Sequence, residues 1–297
     1  MPGIITKNNK LLYGIILLIT SLICADATGA NSFLRDSKLR KPQILFLISK
    51  DVDNYEADKT VPVYAEKLQS EYGFSVTILQ AEGERTAASF PGLKEALDKA
   101  DLLVVFARRL ALPEEQMNSI KAYFKRGKPL VGIRTANHAF SVQPADKKAG
   151  FVDWWDFVPD ILGCLNKGYG PVDPGTDVRM IETQKSHPIL KDIPVQWHSK
   201  GNLYLVDFTI DPHAVPLLTG SVEDRSQPIA WTRMAGKSRV FYTSLGYPAD
   251  FSDGAFITLL TNAVFWALNT DKKKSFCRAG LQPLFRYLKA IRYTRWP

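Results

Sequence analysis

The densest chemistry in the chain sits directly after an apolar run. Residues 129–133 (PLVGI) read as a buried strand, and Arg134-Thr135-Ala136-Asn137-His138 follows without a spacer. A corner between strand and helix is where many hydrolases aim a nucleophile over a sheet. Arginine in that place stays protonated and cannot attack an acyl carbon. Its planar fork suits a carboxylate or the oxygens of a sugar; alternatively it is a buried cation paired with Asp53 or Glu56. His138 shares a face with Arg134 if a helix begins at the corner, and an ordinary histidine pKa suits general acid–base work. The competing role for His138 is a cap or a satisfied core imidazole. Cys164 stands elsewhere, in Leu162-Gly163-Cys164-Leu165, and is discounted as a thiol nucleophile.

Other candidates flank the corner. Asp53, Tyr55 and Glu56 follow the first apolar run and offer two carboxylates and a phenol, for a ligand or simply for solvent. Tyr169, Tyr204, Trp231 and Tyr247 each join an apolar body to a polar tip, the combination that stacks on a sugar face and equally fills a core. Trp231, placed at a strand end, is the foremost of the four. His187 precedes Pro188 as in a turn, and His198 and His213 have no patterned partner. Four scattered histidines without H-x-H or H-E-x-x-H spacing do not make a metal site, so no metal and no cofactor is assigned. Neither G-x-G-x-x-G nor G-x-x-x-x-G-K-[ST] follows a strand, which removes the common nucleotide-binding loops.

These residues need a scaffold, and the first half of the chain supplies a repeating one. Residues 43–49 (QILFLIS) are continuously apolar, as in a strand buried on both faces. Positions 61, 64, 65, 68 and 72 form a helical stripe ended by Gly73. Strand 74–79, helix 93–100, strand 102–107, a helix opening at Leu112-Pro113 and running to 126, and strand 129–133 continue the alternation. Such a pattern predicts an α/β fold with a doubly wound, mainly parallel sheet. Its ligand belongs outside the C-terminal ends of the strands, near 49–56, 107–110 and 134–140. Shorter β pieces follow at 177–182, 202–206, 215–218, 228–231 and 239–243, then a closing helix at 255–268.

The 297 residues are 45% hydrophobic and 23% charged, ordinary values for one globular body. The net charge of +8 is not spread over that body. Residues 28–270 hold 28 basic and 28 acidic side chains, while residues 271–297 hold eight basic ones against Asp271. A nucleic-acid-binding domain is therefore not expected. The tail places Leu281, Leu284, Leu288 and Ile291 on a helical stripe with Arg286, Lys289 and Arg292, a pattern of membrane-surface contact or of solvated chain. At the other end, Lys7 and Lys10 precede an apolar run from 11 to 24, and Ala25-Asp26-Ala27 has small-x-small character. This reads as a signal peptide over 1–27, with an uncleaved anchor as the alternative, followed by a linker at 28–41. After cleavage Cys164 and Cys277 are left, paired or as two free thiols.

Several segments, taken in order, resemble the ThuA-like (trehalose-utilisation) family, which has a class I glutamine-amidotransferase-like fold. They are 130–140 (LVGIRTANHAF), 155–157 (WDF) with 161–163 (ILG), 187–189 (HPI), 202–204 (NLY), 229–233 (IAWTR), 239–246 (RVFYTSLG) and 262–267 (NAVFWA). The resemblance spans about 42–269 and implies a role on small-molecule carbohydrate, a modified (keto) sugar or a glycoside. As an enzyme the chain would then be a sugar hydrolase or isomerase without an amidotransferase cysteine; otherwise it is a sugar-binding module. Two departures favour the module: family members place histidine where this chain has residues 166–170 (NKGYG), and again where it has Tyr247. If the signal reading holds, protein recovered from a secreting host should begin at Thr28 or within a few residues of it. N-terminal sequencing that finds Met1 or Pro2 on a membrane-bound product would refute it.

Overall fold

A computed structural model describes residues 40–270 apart from Lys147 and Thr209. The expected signal segment, nearly all of the linker, the basic tail and Cys277 lie outside the described residues. The first half forms β1 (Gln43–Ser49), α1 (Ala57–Tyr72), β2 (Ser75–Ala81), α2 (Leu93–Lys99), β3 (Leu102–Phe106), α3 (Glu114–Lys125) and β4 (Leu130–Ile133). The second half forms β5 (Leu165–Tyr169), β6 (Thr176–Met180), β7 (Gln196–Ser199), β8 (Tyr204–Asp207), β9 (Val215–Val222), β10 (Arg225–Ala235), β11 (Ser238–Thr243) and α4 (Gly254–Ala267). Nine strands make one sheet in the order β2-β1-β3-β4-β11-β10-β9-β6-β7.

Five strands of that sheet, from β2 to β11, run parallel. The other four extend it antiparallel through β10. Composition follows this division. Every residue of β3 and β4 is buried, whereas β6 alternates buried and exposed positions, because helices cover both faces only in the parallel part. Helices α1 and α4 cover one face, where Val61, Tyr64 and Leu68 meet Phe46, Ile48, Leu259 and Phe265. Helices α2 and α3 cover the other, where Leu93, Leu97, Met117 and Ile120 meet Leu45, Leu47 and Val105. The sheet is doubly wound.

Three local expectations are revised. The helix after β3 begins at Glu114, because Leu112 and Pro113 stay extended and pair antiparallel with Val152 and Phe151. The chain after β4 makes a single tight turn over Arg134–His138 instead of opening a longer helix. Trp231 does not stand at a cleft: its indole is fully buried against Tyr242 and Phe208, and its N–H donates to the Leu162 carbonyl at 2.8 Å. Position 231 lies mid-strand in an eleven-residue β10, so its side chain is committed to the sheet face covered by Leu162 and Phe208. Cys164 is a buried free thiol with its pKa pushed up to about 12, chiefly by burial, which leaves it unreactive.

One buried amide ties the working edge together. The Asn54 Nδ2 donates to the carbonyls of Ser49 at 2.8 Å and Phe106 at 2.9 Å, joining the ends of β1 and β3. Its Oδ1 accepts the Thr135 hydroxyl at 2.6 Å, adding the turn after β4. Replacing Asn54 with Ala strands two carbonyls and a hydroxyl. The expected loss is about 2–4 kcal/mol of unfolding free energy in urea titration, from three buried bonds at about 1 kcal/mol each plus unsatisfied acceptors.

Candidate functional site

At the corner, Arg134 adopts φ 44°, the left-handed conformation that costs a side chain of this kind. Close packing around it leaves no room for larger neighbours. A Cβ on Gly132 would approach the Tyr242 ring at 3.1 Å, and one on Gly246 would meet Ile133 Cγ2 at 2.6 Å. The Tyr242 hydroxyl donates to the Arg134 carbonyl at 2.8 Å and holds the turn from below.

The Arg134 guanidinium is buried, and its surroundings are aromatic and neutral. Nη1 donates to the Ser244 carbonyl at 2.8 Å and Nη2 to Asn202 Oδ1 at 2.5 Å. Its central carbon lies 4.0 Å from the Tyr55 ring centre, 4.7 Å from that of Tyr204 and 5.7 Å from that of Tyr247. Such faces stabilise a desolvated cation by about 2 kcal/mol at best. Neither carboxylate considered as its partner is there. Asp53 Oδ2 lies 3.1 Å from Arg108 Nη1, and Glu56 pairs with Lys59. Among the described residues, no carboxylate pairs with the buried cation.

His138 converges on the same place. Its ring stacks on Tyr204 at 6.2 Å between centroids, so Tyr204 touches both the imidazole and the guanidinium. Nδ1 contacts Asn137 Oδ1 at 2.5 Å and Asn166 Nδ2 at 3.1 Å. Nδ1–H donating to Asn137 leaves Nε2 an acceptor, whereas Nδ1 accepting from Asn166 leaves Nε2 a donor; no partner engages Nε2 among the described residues. Burial, then Arg109, Arg108 and Arg134, lower the His138 pKa from 6.5 to about 3. This corrects the expectation of a near-neutral titration. In the free protein the His138 imidazole is uncharged at neutral pH.

The remaining candidates divide by exposure. Tyr204 is buried, with its phenol pKa raised by desolvation and its hydroxyl donating to Tyr55 at 3.3 Å. Tyr169 pairs opposite Tyr204 across β5 and β8 but is 64% exposed, 6.1 Å away ring to ring. Tyr247 is placed by Asp250, whose Oδ2 accepts the backbone N–H groups of Gly246 and Tyr247 at 2.8 and 2.9 Å. Residues 53–56 bring Tyr55 to the guanidinium and leave Asp53 and Glu56 facing solvent. The sequence reading missed Asn54, Asn137, Asn166 and Asn202, and with them Arg108 and Arg109. The available signal was their position, since most of them directly follow or flank a strand. Among the described residues, no group of three or more His, Cys, Asp or Glu side chains converges as a metal site would require.

The family model for ThuA, trehalose utilisation, matches residues 43–267. This chain belongs to the ThuA family. Solved structures agree on the fold. A ThuA-like protein from Bacteroides uniformis is 17% identical with a TM-score of 0.60, the match covering 79% of this chain and 95% of that one. A ThuA-like protein from Parabacteroides merdae is 18% identical with a TM-score of 0.55, covering 78% of this chain and 91% of that one. Among curated proteins nothing matches. The ThuA match takes in β1 through α4, so the corner and its tyrosines all lie inside it.

A pH dependence follows from His138. Its folded pKa is depressed, so the unfolded chain takes up a proton that the ThuA domain refuses between pH 6.5 and about 3. Its contribution to stability is complete above 6.5 and lost as the pH falls through that window. His138→Gln should flatten this part of a plot of urea midpoint against pH. An unchanged slope would assign it to other groups.

Proposed function

We propose that this ThuA-family protein handles carbohydrate, and that a modified (keto) sugar or glycoside binds at the C-terminal edge of the parallel strands against Arg134 and His138. The ring of tyrosines supports this most directly. Tyr55, Tyr204 and Tyr247 wall the guanidinium, and Tyr169 presents an open face beside them. A sugar ring has apolar C–H faces and a rim of hydroxyls, so it wants aromatic walls with a few directed polar groups. Asn166 and Tyr169 supply groups at the rim, and His138 Nε2 accepts from a hydroxyl. Export of the chain is part of the same proposal, as is contact of the basic tail with an anionic membrane surface.

Two versions differ in what His138 does. In the enzymatic version, a hydrolase or isomerase, Nε2 takes a proton from the bound sugar. In the binding-module version it only accepts a hydrogen bond. The depressed pKa of His138 favours the module, since a base that weak holds little of a proton at neutral pH. So do Asn166 and Tyr247, which stand in segments where the family resemblance implies histidine.

Thermal-shift and calorimetric titration with keto-sugars and glycosides, trehalose among them, tests the shared claim. At least one should bind, and Tyr169→Ala should weaken it by about 0.5–1.5 kcal/mol without lowering the melting temperature. Affinity unaffected by Tyr169→Ala, or no binding across the panel, argues against this site. Turnover of a bound sugar that His138→Gln abolishes identifies the enzyme; binding without turnover identifies the module.

A further inference from the structure

Next to the corner lies a concentration of cations that the neutral body of the protein does not predict. Arg108 and Arg109 follow β3, and the Arg109 backbone N–H donates to the His138 carbonyl at 3.0 Å, docking this loop onto the turn. Arg109 takes φ 52°, the second left-handed arginine at this edge. Arg109 is half-buried, and Arg108, Arg85, Tyr169 and Tyr204 are near enough to act on its charge. Burial and the two neighbouring arginines lower its pKa.

Two of the nearby carboxylates are paired with the neighbouring arginines. Asp51 Oδ2 lies 3.1 Å from Arg85 and Asp53 lies 3.1 Å from Arg108. Asp146 lines a small groove of about 130 Å³ with Arg85 and Arg109 but pairs with neither among the described residues. Arg109 has one side-chain bond among the described residues, Nη1 to the Ser141 carbonyl at 3.3 Å. The rest of its planar fork has no protein acceptor there.

We infer that Arg109, with the His138 imidazole beside it, forms an anion subsite that takes an acidic substituent of the carbohydrate. A carboxylate, phosphate or sulfate oxygen pair fits the fork. The Arg109 loop is docked on the turn that carries His138, whose ring stacks on Tyr204, so the substituent and the sugar ring occupy adjoining positions. The subsite rests on the reading of the corner as a carbohydrate site. An anion seated there offsets the crowding of like charges and raises the affinity of His138 for a proton, so the acidic ligand itself brings the imidazole toward a titration useful for chemistry.

The test compares acids with their neutral parents by calorimetry on the full protein: D-glucuronate with D-glucose, D-galacturonate with D-galactose, and glucose 6-phosphate with glucose. At least one acid should bind tenfold or more tightly than its parent, the difference shrinking as salt is added. In Arg109→Gln the difference should fall below threefold, with Arg109→Lys intermediate because it keeps charge but loses the fork. The NMR titration of the His138 imidazole should move to higher pH in the bound protein, a change that a merely structural Arg109 would not produce. Acids binding no better than their parents overturn the subsite while leaving the carbohydrate reading intact. Inorganic phosphate binding that Arg109→Gln abolishes, with no sugar adding affinity, keeps the subsite and removes the carbohydrate reading. No binding by any acid or by phosphate overturns the subsite outright.

Discussion

A guanidinium buried without a carboxylate is the constraint on which the working edge of this protein depends. Leaving such a charge unmatched in a protein interior costs several kcal/mol, so every neighbour of Arg134 must offer something to it. Backbone and amide oxygens supply the hydrogen bonds, from Ser244 and Asn202. Tyrosine faces supply the rest. Gly201 lets the whole group settle, since a Cβ there would stand 2.9 Å from Nη1. Segments far apart in the chain, around 55, 134, 202–204 and 244–247, therefore meet at one side chain. Those around 134, 202–204 and 244–246 are among the segments that carry the resemblance to the ThuA family, whereas Tyr55 and Tyr247 lie outside them.

The electrostatics of the edge follow from that arrangement. Burial first, and then the charges of Arg109, Arg108 and Arg134, keep the His138 imidazole uncharged. An amide network then decides which nitrogen of His138 is free. Asn137 and Asn166 both contact Nδ1, and Nε2 has no partner among the described residues. The histidine is thus tuned first by burial and then by its cationic surroundings. Such a group responds to the charge of whatever binds beside it.

The β-rich second half is an extension of the parallel sheet and also the means of closing the site. Strands β9, β6 and β7 widen the sheet, while β5 and β8 form a separate two-stranded ribbon. That ribbon carries Asn166, Tyr169 and Tyr204 to the corner. Its irregular register, with a shift between Tyr204 and Val206, twists the ribbon locally at Tyr204, which packs on the guanidinium and the imidazole.

The alternation of strand and helix, the burial of 43–49, 102–106 and 130–133, and the stripe at 61, 64, 65, 68 and 72 were legible in the sequence. Each is a local signal: a run or period of apolar residues says which faces must be covered, whatever covers them. The location of the corner was legible for the same reason. What the sequence could not decide is partnership. Whether Arg134 meets Asp53 or Tyr55, whether Trp231 faces a cleft or the core, and whether His138 titrates near neutrality depend on groups tens of residues away. The Arg134–Asn202 bond spans 68 positions and the Arg134–Ser244 bond 110. Apolar burial is non-directional and is written into each segment, whereas a hydrogen bond or a pKa shift needs particular atoms within a few ångströms, which only the assembled sheet provides.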